Sequence, residues 1–187
     1  MLPKGYEVPK TVGNYMKFQK GLNKFRVLSD AIVGWEYWNT AGKPVRSPQS
    51  FSKVPDDVRH DPKNDNPFKH FWAFVVWNYQ DERVQILEIT QKTIQQAIKG
   101  YNGNPDWGSP KEYDITVTRE GDDLGTEYTV MPSPAKPLKK EIVEAMKKVS
   151  VDLTALYRGE DPFAKNKSIA PQIEYPSNEP NPEDVPF

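Results

Sequence analysis

Cations and aromatic rings alternate along the first eighty residues of this chain. Lys24 and Arg26 are followed by Trp35, Tyr37 and Trp38; Lys43, Arg46, Lys53 and Arg59 come next; Lys69 then precedes Phe71, Trp72, Phe74, Trp77 and Tyr79. Sequence-tolerant capture of a single nucleic-acid strand needs these two residue types: cations along the phosphates, and aromatic faces on which bases stack at about 1–3 kcal/mol each. The candidate strand-binding residues are therefore Lys24, Arg26, Trp35, Tyr37, Trp38, Lys43, Arg46, Arg59, Lys69, Trp72 and Phe74. Stacking does not inspect the 2′-hydroxyl, so DNA and RNA both satisfy this chemistry. Strand periodicity divides the richest run, placing Phe71, Ala73, Val75, Trp77 and Tyr79 on one face and Trp72, Phe74 and Val76 on the other. Ala73 and Val75 suit core packing. Trp72 and Phe74 are accordingly expected outside, stacking bases or lying under a C-terminal helical segment.

Other chemistries fare poorly. The chain has no Cys, which rules out disulfides, zinc–thiolate sites and thiol catalysis. His60 and His70 are the two histidines, and their spacing suits no common zinc helix motif. Asp56, Asp57, Asp61 and Asp65 could ligate Mg²⁺, but a Pro-rich loop holds ligands too loosely for catalysis. Gly100-Tyr101-Asn102-Gly103 lacks both the spacing and the Lys of a phosphate loop. No nucleophile is accompanied by a base. The expectation is a non-enzymatic protein without metal or cofactor.

Charge is uneven along the 187 residues although the net is −1. Residues 1–60 carry +5, 61–131 carry −5, 132–170 carry +3 and 171–187 carry −4. A polyanion would sit on the basic N-terminal third. Hydrophobic residues make up 36% and aromatic residues 12%, which points to a small core with aromatic side chains to spare. No 18-residue apolar run and no signal-peptide pattern occurs, so a cytoplasmic, non-membrane protein is expected.

The elements that must position these residues follow from periodicity. Residues 1–20 read as a flexible arm. A bent first strand spans 23–38, with Gly34 suited to a bend or bulge. A Pro-rich loop fills 39–69, long enough to be functional or disordered. Residues 71–79 and 84–89 form a hairpin turned by Asp81-Glu82. Ile94, Ala97, Ile98 and Tyr101 recur at helical spacing after Thr90, and Gly100 and Gly103 end that helix. Tyr113, Ile115 and Val117 alternate with polar residues on a fourth strand, and Tyr128 and Val130 mark a fifth. Residues 133–170 read as a Pro-rich linker and an amphipathic helical segment through Ile142, Met146, Val149, Leu153 and Leu156. The tail, 171–187, is acidic and rich in Pro, and should stay extended and solvated.

Three strands, a helix and two strands match a mainly β, five-stranded OB-fold barrel across 21–132, with its helix between strands three and four. An unrelated α+β sheet has the same order of elements.

Blocks in this stretch resemble tailed-phage single-stranded-DNA-binding proteins. They are Asn23 to Leu28, Gly34 to Trp38, His70 to Trp77, Gln85 to Thr90 and Tyr113 to Ile115, within roughly residues 15–138. The resemblance implies an OB-fold that coats exposed strands during phage replication, recombination and repair in the infected bacterial cytoplasm. Some phage relatives carry a zinc held by Cys and His; with no Cys here, the metal does not carry over. The ending Glu183-Asp184-Val185-Pro186-Phe187 resembles the acidic tip of bacterial single-stranded-DNA-binding proteins. That likeness implies partner binding by Glu183, Asp184, Val185, Pro186 and Phe187, which would recruit replication and repair enzymes. The alternative is a protein-binding adaptor that docks host enzymes without touching DNA.

Overall fold

Alternating β-branched and aromatic residues pair into a mainly β architecture in the computed structural model, which describes residues 13–167. The acidic tail, with Glu183, Asp184, Val185, Pro186 and Phe187, lies outside the described residues. In chain order the strands are β1 (Tyr15–Met16), β2 (Gly21–Val27), β3 (Ile32–Trp38), β4 (Pro44–Ser47), β5 (Lys69–Asn78), β6 (Arg83–Ile89), β7 (Asp114–Glu120) and β8 (Glu127–Pro132). Helix α1 (Lys92–Asn102) lies between β6 and β7. After β8 come α2 (Lys140–Lys148), a 3₁₀ turn (Leu153–Arg158) and α3 (Ala164–Lys167). The sheet order is β1-β6-β5-β2-β7-β8, with β3 also on β5 and β4 on β3.

Among the described residues eight strands stand where five are expected, and each addition has a local cause. The expected bent strand is two strands on one partner: Val27 pairs with Val76 and Ile32 with Ala73, both on β5. Residues 28–31 bulge between them. Leu28 N–H donates to the Val75 carbonyl at 2.8 Å, and Val75 N–H donates to Ser29 Oγ at 2.9 Å, so β5 stays bonded across the gap. Gly34 does not make the bend. It lies mid-strand, where a Cβ would run into the Ser47 backbone of β4. β4 itself arises inside the expected loop, and β1 adds in parallel to β6 through Tyr15↔Ile86 and Met16↔Leu87.

β1 revises the expected arm. Met16 and Phe18 are buried in the main core with Phe25, Phe74, Val76, Leu87, Ile94 and Ile115. Asn23 fixes the entry: its Nδ2 donates to the Gln19 carbonyl and its Oδ1 accepts from Gln19 N–H, both at 2.8 Å. Burying apolar side chains of this size contributes about 1.5–3 kcal/mol each, enough to bind this segment to the sheet.

The two faces of β5 are assigned the other way round from expectation. Phe74 and Val76, with half-buried Trp72 beside them, face the main core under α1. Phe71 and Ala73 form the outer face, where they are fully buried against Leu153, Leu156 and Phe163. Here the C-terminal segment covers the sheet, and Ala73 leaves it room. Phe74 is thus a core residue, not a base-stacking surface.

Candidate nucleic-acid interface

β3 carries its last residue, Trp38, out of the core to 45% exposure. The following loop is not loose. Asn39 bridges to Val58, Thr40 N–H donates to the Asp57 carbonyl at 2.7 Å, and Arg59 N–H donates to the Trp38 carbonyl at 2.8 Å. Tyr37 pins the loop from beneath. Its ring meets Phe51 at 5.1 Å and Phe68 at 6.1 Å, those two stack at 5.1 Å, and its hydroxyl donates to Asp57 Oδ1 at 3.0 Å. Tyr37 is buried, a correction to its place among the stacking candidates.

The folded loop sets exposed Arg59 and His60 beside Trp38, and β5 begins there with exposed Lys69. Trp38, Arg59, His60, Asn64 and Lys69 line a concavity of about 440 Å³. Trp38 also borders a second concavity, of about 620 Å³, with Tyr15, Lys17, Arg46, Arg119 and Tyr128. One exposed tryptophan is therefore common to two hollows, each with cations in its wall. Lys43 lies at the exposed tip of the β3–β4 hairpin, next in sequence to Pro44 of the second hollow; its N–H donates to Asn39 Oδ1 at 2.9 Å.

Arg46 faces this surface with its charge already engaged. Its Nε donates to Glu36 at 3.1 Å and a terminal nitrogen donates to Glu88 at 2.6 Å, while the guanidinium lies 5.6 Å from the Phe71 ring centre. That corrects its assignment as a free phosphate contact. Glu36 is 3% exposed. Burial, with Glu88 beside it, pushes the Glu36 carboxyl up to about 8 against the pull of Arg46. The Tyr15 hydroxyl is pushed up as well, by burial foremost.

Lys24 and Arg26 lie elsewhere, another correction. Arg26 is 1% exposed; its Nε donates to Asp114 at 2.8 Å and a terminal nitrogen donates to the Lys136 carbonyl at 3.1 Å. Lys24 and Lys136 reach the same carboxylate at 3.1 and 2.7 Å, and the Tyr79 hydroxyl donates to it at 2.8 Å. Burial alone would raise the Asp114 pKa; the bonds from Lys136, Tyr79 and Lys24 and the Arg26 charge bring it down to about 2. The cause lies in the register, which makes Arg26 and Asp114 direct partners across β2 and β7. This cluster clamps the linker after β8 to the sheet.

Trp35 and Trp72 lie on the strand faces opposite Trp38. Trp35 meets the His70 ring edge-on at 5.2 Å, and Trp72 meets Phe74 at 6.2 Å. Trp72 borders a different cavity, of about 390 Å³, with Val33, Ile98, Lys99 and Lys111. Of the eleven candidates, the fold thus brings Trp38, Arg59 and Lys69 together, with Lys43 adjacent and Arg46 beneath.

Sequence reading passed over Tyr15, Lys17, Arg119 and Tyr128. Arg119 and Tyr128 are direct partners across β7 and β8, and Arg119 donates to the Phe18 carbonyl at 3.0 Å. A basic residue ending an otherwise alternating strand was a signal for Arg119. Tyr15 and Lys17 carried none, because a two-residue parallel strand has no periodicity to detect. Among the described residues no cluster of three or more His, Asp or Glu could hold a metal, and no helix is long and apolar enough to cross a membrane.

No family model matches the chain and no solved structure matches it. The chain is similar to a protein of Escherichia phage T5 described as a probable ssDNA-binding protein, with 24% identity over 139 residues. The match covers 62% of this chain and 53% of that protein, so the chain spans about half the length of the curated relative it matches.

Proposed function

We propose that this chain binds single-stranded DNA without sequence preference, along a track that crosses Trp38. The observation that carries the reading is the exposed tryptophan common to two cationic hollows, Arg59 and Lys69 in one and Lys17 and Arg119 in the other. A base stacks on the indole while neighbouring phosphates reach the flanking cations. Similarity to the phage T5 protein supports the choice of ligand. The scaffold reads as an OB-type barrel: β2 and β3 act as one bent first strand, paired with β5 and β7, and α1 precedes β7. Between its first and second strands lies the loop 39–68, a position OB-folds use to grip oligonucleotides.

On this reading the protein is not an enzyme and needs no cofactor. It coats strands exposed in phage replication, recombination and repair within the host cell, and its acidic ending, Glu183 to Phe187, recruits partner proteins. The test is a fluorescence titration with oligo(dT) and with duplex of equal length at several salt concentrations. Tight binding of the single strand with quenched tryptophan emission is expected. Trp38→Ala should lose about 1–3 kcal/mol of it, whereas Trp35→Ala should lose less. An intact protein that binds neither DNA, while still capturing host enzymes, favours the adaptor instead.

A further inference from the structure

The floor of the Tyr15–Trp38 hollow is short of positive charge. Two carboxyls, Glu36 and Glu88, share one guanidinium, Arg46, at 3.1 and 2.6 Å, which brings them side by side. Two carboxyls in such contact keep a proton between them, because like charges this close disfavour double ionisation. With one proton held, the trio is neutral. When the proton leaves, the trio carries −1.

The other ionisable groups around the pair do not remove the imbalance. From β5, Lys69 is the Cα partner of Glu36, but it is exposed and borders the neighbouring hollow. From β1, Tyr15 faces Arg46 and Glu88, and Asp161 of the C-terminal segment acts on Tyr15 with a further negative charge. On the 3₁₀ turn, Arg158 is engaged by Asp152 at 3.1 Å and Glu160 at 2.8 Å. Lys17 and Arg119 stand in the wall of the hollow, where phosphates would settle.

A phosphate drawn to Lys17 and Arg119 adds negative charge over this floor and makes loss of the shared proton harder. We propose that a single strand seated in this hollow binds together with a proton held on the Glu36–Glu88 pair, so that affinity falls as the pair ionises. The proposal rests on reading the hollow as part of the strand-binding track. By linkage, one proton taken up on binding weakens affinity by up to about tenfold per pH unit in the alkaline range. Burial beside a second carboxyl sets that range, pushing the Glu36 carboxyl up to about 8. Ordinary histidines, with pKa values of about 6.5, titrate below it.

The experiment is calorimetric titration of the full chain with oligo(dT) between pH 7.5 and 9, in buffers of different ionisation enthalpy. The expected result is uptake of a fraction of a proton and affinity that declines across this interval. Glu36→Gln should bind with nearly constant affinity and no uptake there, and Glu88→Gln should do the same if the first variant does not fold. Strand binding with no proton uptake overturns this inference and leaves the binding reading intact, as does uptake that persists in both Gln variants. No binding at any pH overturns the binding reading and this inference with it.

Discussion

Asp114→Asn tests whether Arg26 belongs to the scaffold or to the DNA path. The substitution keeps the shape of the side chain and removes its charge. Lys24 and Lys136 are partly exposed and can turn into water, but Arg26 cannot, being wholly enclosed against Asp114. Removing one member of a buried ion pair costs about 3–5 kcal/mol, because the other charge is left without a partner. The pKa of Asp114 gives an independent lower figure. A fall to about 2 from an ordinary value of about 3.9 corresponds to about 2–3 kcal/mol. With a urea slope of about 2 kcal/mol per molar, a loss of 3–5 kcal/mol moves the unfolding midpoint down by about 1.5–2.5 M. Since the folded-state pKa lies below the unfolded one, this contribution is complete above about pH 4 and disappears as pH falls through 2. The wild type should therefore lose stability over that acid interval and Asp114→Asn should lose less. The double variant Arg26→Met with Asp114→Leu should recover most of the midpoint, since replacing a buried pair with apolar side chains is often neutral. A loss below about 1 kcal/mol for Asp114→Asn, or a double variant weaker than the single, refutes the reasoning.

Salt dependence separates the track from the scaffold. Arg59→Ala and Lys69→Ala should each reduce the slope of log affinity against log salt on oligo(dT) by about 0.7, and an unchanged slope would remove either residue from the phosphate path. Gly34→Ala should lower stability by about 1–3 kcal/mol through overpacking against the Ser47 backbone, read as a drop in the thermal midpoint; no drop would mean that β4 can shift freely. Glu36 predicts the opposite pH trend from Asp114. Its raised pKa gives stability that is greatest in acid, declines as pH rises above about 4.5 and levels off past about 8, and urea midpoints of Glu36→Gln should lack that decline. Removing Phe187 alone should leave oligo(dT) affinity unchanged and abolish capture of host replication or repair enzymes from a bacterial lysate, and equal capture by both forms would count against the tip.

Much of the architecture was legible in local pattern. Alternation placed the hairpin of β5 and β6, the fourth-strand residues Ile115 and Val117, and Tyr128 with Val130. Spacing of Ile94 and Ile98 placed α1. Those signals come from neighbours within one turn or one strand, where backbone geometry alone fixes which side chains share a face.

The site itself was decided by contacts between residues far apart in sequence. Arg26 and Arg46 look alike as cations in a basic stretch, yet register sets one against Asp114 and the other between Glu36 and Glu88. Trp38 and Trp72 look alike as strand aromatics. One ends its strand exposed to water, and the other lies on a central strand whose two faces are both covered. Composition determined that this chain has the cations and rings to hold a strand. Which of them remain free to do so was set by tertiary structure, because a buried cation must be neutralised by a partner and only pairing across the sheet supplies one.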